Sequence, residues 1–224
     1  MKFFLDTCSL KEIKKWSQYN LVEGVTTNPS LLSKEKNETT NQLKRISSIV
    51  KGPVSAQVTE DNHEKMIKQA IKLKKISKNI IIKLPANNEG FLAAKFLKKK
   101  KIKINVTVGF NPSQIIPFAK IDIDYFSLIL GKTEDWGFSN FDSIAKSKDI
   151  LKSINSKTKL LLASIRNEDH LIKSIVNGAD IITVPPTTWE KVFNNKYTKL
   201  ALKGMSEDWA KISINDKKNY EIEK

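Results

Sequence analysis

The feature that most constrains the fold is a regular alternation of short apolar runs with amphipathic stretches of helical period. The apolar runs are rich in β-branched residues and leucine, as strands buried on both faces of a parallel sheet are. They are residues 2–6, 24–26, 54–58, 80–84, 102–108, 124–130, 159–164 and 181–184. Helical patterns follow them at residues 9–18, 38–51, 62–77, 88–100, 112–119, 141–154, 168–177 and 188–194. Eight β-α units in one chain predict an α/β protein with a single (β/α)8 TIM barrel.

An open, doubly wound sheet is the alternative fold. The chain has neither a G-x-G-x-x-G nor a G-x-x-x-x-G-K-[ST] motif, so the phosphate-loop form of that alternative lacks support. A ninth amphipathic helix is predicted over residues 199–212. We therefore expect one barrel domain over residues 1–212, including this C-terminal helix, and a polar tail over residues 213–224 that frays from Asn215.

The net charge of +15 raises the question of nucleic-acid binding. Arg45 and Arg166 are the only arginines, and the lysines are spread along the chain. Arginine is the main bidentate reader of guanine and the better phosphate fork, so this composition argues against nucleic acid as the main partner.

Three further observations bear on location. No run approaches 18 consecutive apolar residues, so we expect no membrane span. The first residues reach an acid, Asp6, too early for a signal peptide. Cys8 is the only cysteine, which excludes an internal disulfide. A cytoplasmic protein is the simplest expectation.

Lys83 follows three consecutive isoleucines in the fourth apolar run. Taken alone, it could be a solvated lysine just past a strand. If it is buried instead, desolvation lowers the pKa of its amine, and a neutral amine can form a Schiff base with a carbonyl substrate.

Polar residues stand at the end of every predicted strand. Because barrel active sites gather at the carboxyl ends of the strands, these side chains should surround one mouth. They are Asp6, Thr26, Asn28, Gln57, Lys83, Asn105, Thr107, Ser127, Ser164, Arg166 and Thr183. The set contains no Cys/His cluster, and His63 and His170 fall at helix starts, where we expect them on the surface. No metal site is therefore predicted.

Seven segments, in order along the whole chain, resemble the transaldolase family, in particular its small-subunit branch with the fructose-6-phosphate aldolases. They are Phe3-Phe4-Leu5-Asp6-Thr7, Gly24-Val25-Thr26-Thr27-Asn28-Pro29-Ser30, Val54-Ser55-Ala56-Gln57-Val58, Ile81-Ile82-Lys83-Leu84-Pro85, Asn105-Val106-Thr107, Ala163-Ser164-Ile165-Arg166-Asn167 and Ala179-Asp180-Ile181-Ile182-Thr183-Val184-Pro185-Pro186. The second segment is highly specific, and the ordered set is more so.

The resemblance implies roles for individual residues. Lys83 would form the Schiff base, and Asp6 would be the acid/base group. Gln57 and Thr107 would position the water used in proton transfer. The other residues would bind substrate: the dihydroxyacetone part at Thr26, Asn28, Asn105 and Ser127, and the phosphate at Lys132, Ser164 and Arg166. An iminium on Lys83 would supply the electron sink, so no metal and no cofactor is expected.

The chain departs from the family pattern after the sixth strand. Ile129 stands where the family has Phe or Tyr, and Lys132 replaces a phosphate-binding arginine, which keeps the charge but loses the fork. Three hypotheses stay open. The first is a transaldolase acting on sugar phosphates in the pentose phosphate pathway. The second is an aldolase releasing dihydroxyacetone from fructose 6-phosphate, and the third is a weakly active barrel.

The C-terminal helix carries an apolar stripe that includes Leu200, Met205 and Trp209. It could cover its own barrel or a neighbouring subunit. The resemblance implies a homo-oligomer, a pentamer or a decamer, in which this helix contributes to the contacts.

Overall fold

In a computed structural model of the chain, which describes residues 1–218 and 220, eight parallel strands close into a barrel. The strands pair in chain order, and the last pairs with the first. They are β1 (Lys2–Asp6), β2 (Gly24–Thr26), β3 (Val54–Gln57), β4 (Ile80–Pro85), β5 (Ile104–Gly109), β6 (Tyr125–Ile129), β7 (Lys159–Ala163) and β8 (Ile181–Val184). The predicted (β/α)8 barrel is confirmed.

Helices follow the strands along the chain. They are α1 (Leu10–Ser17), α2 (Pro29–Leu32), α3 (Thr39–Ile49), α4 (His63–Lys74), α5 (Asn88–Lys99), α6 (Ile115–Lys120), α7 (Gly131–Glu134), α8 (Asp142–Ser153), α9 (Glu168–Val176), α10 (Pro186–Phe193), α11 (Lys196–Lys211) and α12 (Ile214–Lys218), with a 3-10 turn at Pro112–Gln114 before α6. The short helices α2, α7 and α12 are not predicted from the sequence, because one turn is too short to show a helical period.

Asparagine begins several of the helices that leave the barrel mouth. Asn62, Asn87 and Asn167 each accept a hydrogen bond from a backbone N–H in the first turn of α4, α5 and α9, at 2.8–2.9 Å. Such caps satisfy amide groups that have no partner within the helix. They fix the direction in which the chain turns back from the mouth.

The fourth strand shows why the apolar runs form the barrel wall. Ile80, Ile81 and Ile82 are all buried, since this strand faces the barrel interior on one side and the helices on the other. In the parallel register, Lys83 lies beside Gln57 on β3 and beside Asn105 on β5. Three residues with predicted site roles are therefore neighbours across the sheet.

The chain divides into two compact units, Met1–Thr188 and Trp189–Lys224. The first contains the barrel, and the second contains α11. None of the residues of α11 is buried, and Leu200, Leu202 and Met205 are more than half exposed. The prediction of one domain over residues 1–212 stays a prediction.

The tail expected to fray from Asn215 begins instead with α12. The Ser213 hydroxyl accepts a hydrogen bond from the Asp216 N–H at 3.3 Å and donates to its carboxylate at 2.6 Å, which starts the helix. Residues 219 and 221–224, the rest of the predicted tail, lie outside the described residues. None of the helices in the described part of the chain has the length and apolarity needed to cross a membrane.

Candidate active site

A cavity of about 180 Å³ lies at the carboxyl ends of the strands. Its walls combine predicted site residues with apolar side chains of β6 and β7. They are formed by Asp6, Thr26, Asn28, Lys83, Ser127, Ile129, Leu161, Ala163, Ser164 and Thr183. A larger groove, of about 1120 Å³, runs along α4 and is lined partly by its lysines. None of the strand-end residues lines that groove, so we place the candidate site in the smaller cavity.

Lys83 is a buried lysine, with 7% of its surface exposed. Its amine donates one hydrogen bond, to the backbone carbonyl of Thr27 at 3.3 Å. Burial lowers the pKa of the amine, and the charge of Asp6 opposes that shift only in part. The sequence alone is compatible with a solvated lysine at this position, but in the structure Lys83 is buried. A lysine in this setting can supply a neutral amine as a nucleophile.

Asp6 ends β1 and shares the cavity with Lys83. Burial raises the pKa of its carboxyl group, while Lys83 and a hydrogen bond from the Thr26 hydroxyl, at 2.8 Å, act in the opposite direction. The Thr26 hydroxyl also lies 2.5 Å from that of Thr183 on β8. A carboxyl group with a raised pKa can give or take a proton nearer to neutral pH than an exposed aspartate can.

Asn105 and Ser127 form a buried hydrogen-bonded pair. The Ser127 hydroxyl donates to the Asn105 side-chain carbonyl at 2.7 Å, and the Asn105 amide donates to the Ser55 hydroxyl at 3.2 Å. Ser127 lines the cavity, whereas Asn105, which is fully buried, lies behind the wall. The pair fixes the orientation of the Ser127 hydroxyl at the cavity surface.

Of three other predicted residues, two lie outside the cavity wall and one lies in it. Gln57 is half-buried at the end of β3, and Thr107 is buried on β5, but neither lines the cavity. Asn28 does line it, and its side-chain oxygen also caps α2 by accepting from the Leu31 N–H at 2.9 Å. Its amide group is then the part that can donate to a ligand.

The predicted phosphate-binding cations both contact one carboxylate. Asp135, just after α7, accepts two hydrogen bonds from the Arg166 guanidinium, at 2.5 and 2.7 Å. Its second oxygen also lies 3.3 Å from the Lys132 amine. These contacts hold the pKa of the Asp135 carboxyl group well below its usual range, with the Arg166 hydrogen bonds as the largest cause. Sequence reasoning missed Asp135, although its spacing of three from Lys132 suits an ion pair on one helical turn.

Ser164 combines a place in the cavity wall with an unusual backbone. Its φ is +64°, in the left-handed region that residues with a Cβ rarely adopt. Its carbonyl accepts a hydrogen bond from the Gly131 N–H at 3.0 Å, which joins the β7–α9 loop to α7. Strained residues of this kind cluster at functional sites because the surrounding structure holds them there.

Cys8 is a buried free thiol close to this site. Burial raises its pKa to about 12, with the charges of Asp6 and Glu35 adding to the effect. Since the thiolate is the nucleophilic form, Cys8 is not the nucleophile of this cavity at neutral pH.

His170 is buried, which makes the expected surface position wrong. Its Nε2 atom lies 3.0 Å from a Glu134 carboxylate oxygen, and its ring packs edge-on against Phe141. The sequence places His170 correctly at a helix start but does not reveal α7, whose Glu134 contacts it. His63 is half-exposed and lies 2.7 Å from Glu89.

The fold and the site together define a (β/α)8 barrel whose mouth holds a buried amine and a half-buried carboxyl group. The chain belongs to the Transaldolase/Fructose-6-phosphate aldolase family, whose model matches residues 3–223. This finding confirms the resemblance carried by the seven segments, and it makes the chain an aldolase-type enzyme.

Similar proteins cover nearly the whole chain. A "Probable transaldolase" of Methanococcus vannielii is 40% identical over 209 residues, 93% of this chain and 97% of that protein. Another, of Lactiplantibacillus plantarum, is 38% identical over 217 residues, 97% of this chain and 100% of its own length. A third, of Nitrosopumilus maritimus, is 36% identical over 217 residues, 96% of this chain and 98% of that protein.

Proposed function

We propose that this chain is a Schiff-base transaldolase that moves a dihydroxyacetone unit between sugar phosphates, as a step of the pentose phosphate pathway. The observation that carries the proposal is Lys83, a buried amine with a lowered pKa in the same cavity as Asp6. The relatives named as probable transaldolases, matched over nearly their whole lengths, support it.

In the proposed reaction, the neutral Lys83 amine adds to the ketose carbonyl, and the carbonyl oxygen takes up one proton from the amine and one from solvent and leaves as water. The resulting iminium is the electron sink. Asp6 takes the proton of the neighbouring hydroxyl, the carbon–carbon bond breaks, and its electron pair moves into the iminium to give an enamine. The aldehyde fragment departs. An acceptor aldehyde then adds to the enamine carbon, Asp6 returns the proton to the new hydroxyl oxygen, and hydrolysis of the new iminium frees Lys83.

The remaining site residues would hold the substrate and a water. Thr26, Asn28, Asn105 and Ser127 are proposed to bind or support the dihydroxyacetone part. For Asn105 the role is indirect, through its hydrogen bond to Ser127. Gln57 and Thr107 are proposed to position the water, and the proposed phosphate contacts are Lys132, Ser164 and Arg166.

Reductive trapping tests the mechanism. The protein is incubated with fructose 6-phosphate, reduced with borohydride, and digested, and the adduct is mapped by mass spectrometry. We expect one adduct, on Lys83, and none in a Lys83→Met variant of similar shape. An adduct on a different lysine, or no adduct, would contradict the proposal. The second of these results would favour a weakly active barrel.

An aldolase that releases dihydroxyacetone and glyceraldehyde 3-phosphate is the second candidate. Gln57 favours it, because the aldolase-type members that the chain resembles have an amide there, where transaldolases often have Glu. A product assay with and without erythrose 4-phosphate separates the two activities. Turnover that requires this acceptor supports the transaldolase, and free dihydroxyacetone in its absence supports the aldolase.

We also propose a homo-oligomer, a pentamer or a decamer. The exposed apolar residues of α11 support it, since Leu200, Leu202 and Met205 would be covered in an assembly.

The substrates proposed here are small sugar phosphates, and the proposed location is the cytoplasm. We propose no role for nucleic acid.

A further inference from the structure

The pair Arg166 and Asp135 has the geometry of a strong ion pair. Both terminal nitrogens of the guanidinium donate to the two carboxylate oxygens, which is the bidentate arrangement that carboxylates and phosphates share. Lys132 contacts the same carboxylate at 3.3 Å. The Asp135 carboxylate therefore occupies the two terminal nitrogens of Arg166 and also forms an ion pair with Lys132.

The position of Arg166 does not depend on Asp135 alone. A Cβ added to Gly131 would lie 2.9 and 3.0 Å from two methylene carbons of the Arg166 side chain, so the stem of Arg166 packs directly on the Gly131 backbone. The Gly131 N–H is itself bonded to the Ser164 carbonyl. Backbone packing and a backbone hydrogen bond thus hold the arginine beside Ser164, which lines the cavity.

We infer that Asp135 is a specificity-determining residue, whose carboxylate competes with the anionic group of the substrate for Arg166 and Lys132. It would thereby set how strongly the enzyme prefers phosphorylated over unphosphorylated sugars. The inference rests on the proposed function, in which these two cations bind phosphate.

The charges give the direction of the effect. Arg166 and Lys132 carry two positive charges, and Asp135 cancels one of them, so an arriving phosphate meets a net charge of +1 at these three residues. The phosphate must also displace the carboxylate or share the guanidinium with it. Because the ion pair is half-exposed, water can replace the lost contacts, and exchange between the two anions is feasible.

The test is an Asp135→Asn variant, which keeps the shape of the side chain and removes its charge. We expect the Kd for inorganic phosphate, measured by calorimetric titration, to fall about twofold to fivefold, the scale of a half-exposed ion pair. The KM for fructose 6-phosphate should fall by a similar factor. The KM for fructose, which has no phosphate, should stay within about twofold of the wild-type value.

Two controls isolate the contact. Asp142→Asn, at the exposed start of α8, removes one negative charge from the same part of the chain and should leave phosphate binding unchanged. In an Arg166→Ala background, Asp135→Asn should lose most of its effect, because the main contact is already absent. An Asp135→Ser variant provides the same charge change if the asparagine variant does not fold.

The opposite result would overturn the inference. If phosphate binds Asp135→Asn with equal or lower affinity, Asp135 orients Arg166 rather than competing for it. Reductive trapping with dihydroxyacetone, which carries no phosphate, keeps the two proposals apart. No adduct on Lys83 would refute the proposed function, while the phosphate titration would still decide the role of Asp135.

Discussion

The Lys83 amine and the Asp6 carboxyl group line one cavity at the barrel mouth, and burial shifts their pKa values in opposite directions. Burial lowers the pKa of the amine and raises that of the carboxyl group, so the desolvation of each group favours its neutral form. Their mutual attraction acts against both shifts. The balance between these two effects should be visible in the pH dependence of imine formation.

The pH at which imine formation is half-maximal should lie below 10.5, the ordinary pKa of a lysine. The reactive amine is the neutral form, and its fraction rises with pH and saturates earlier when the pKa is lowered. Replacing Asp6 with Asn should move the midpoint to still lower pH, because the Asp6 charge now raises the pKa of Lys83. Reductive trapping of dihydroxyacetone across a pH series measures both midpoints. A midpoint at or above 10.5 in the wild type would contradict the lowered pKa.

Arg166→Ala should raise the KM for phosphorylated substrates by about tenfold to a hundredfold, with a smaller change in kcat, since it removes a charge-assisted contact made throughout the reaction. Steady-state kinetics with fructose 6-phosphate measures this change. Arg45→Ala is the matched control, because Arg45 is the other arginine and lies on α3. An unchanged KM in Arg166→Ala would show that this residue does not bind the phosphate.

Lys132→Arg should tighten phosphate binding, because a guanidinium can donate two parallel hydrogen bonds to a phosphate where an ammonium group cannot.

Ser127→Ala should lower the free energy of unfolding by about 1–2 kcal/mol, because it leaves the side-chain oxygen of buried Asn105 without its donor. Ser113→Ala is a matched control, since the Ser113 hydroxyl donates to the Asn111 side-chain oxygen at 2.8 Å, but in an exposed position. Water can replace that bond, so its loss should cost about 0.5 kcal/mol or less. Urea denaturation compares the two variants. Equal effects would mean that burial of the Asn105 pair adds nothing.

A chain that ends at Asn195 should fold but no longer assemble. The truncation removes α11, whose exposed apolar residues are the proposed subunit contacts. Light scattering at micromolar concentration should give a multiple of 25.4 kDa for the full chain and a single copy for the truncated one. If the full chain runs as a monomer, the proposed assembly is wrong.

Sequence pattern predicts the strands well and the loops poorly. All eight strands lie where apolar runs occur, because burial on both faces leaves a continuous hydrophobic signal. The sequence predicts that Lys83, Asp6, Ser127 and Ser164 share the mouth, and these residues line one cavity. Asp135 was missed and His170 was misplaced, since both depend on α7, a single turn without a periodic signal.

The left-handed backbone of Ser164 implies that the chain gives up stability in order to place one hydroxyl group. A residue with a Cβ costs roughly 1–2 kcal/mol in this conformation, and glycine would avoid that cost while losing about 0.5–1 kcal/mol through its freer unfolded chain. Ser164→Gly should therefore raise the free energy of unfolding by up to about 1.5 kcal/mol, the difference between these two effects, and yet bind phosphate less well. A variant that is more stable and binds phosphate more weakly would identify position 164 as a compromise between folding stability and substrate binding.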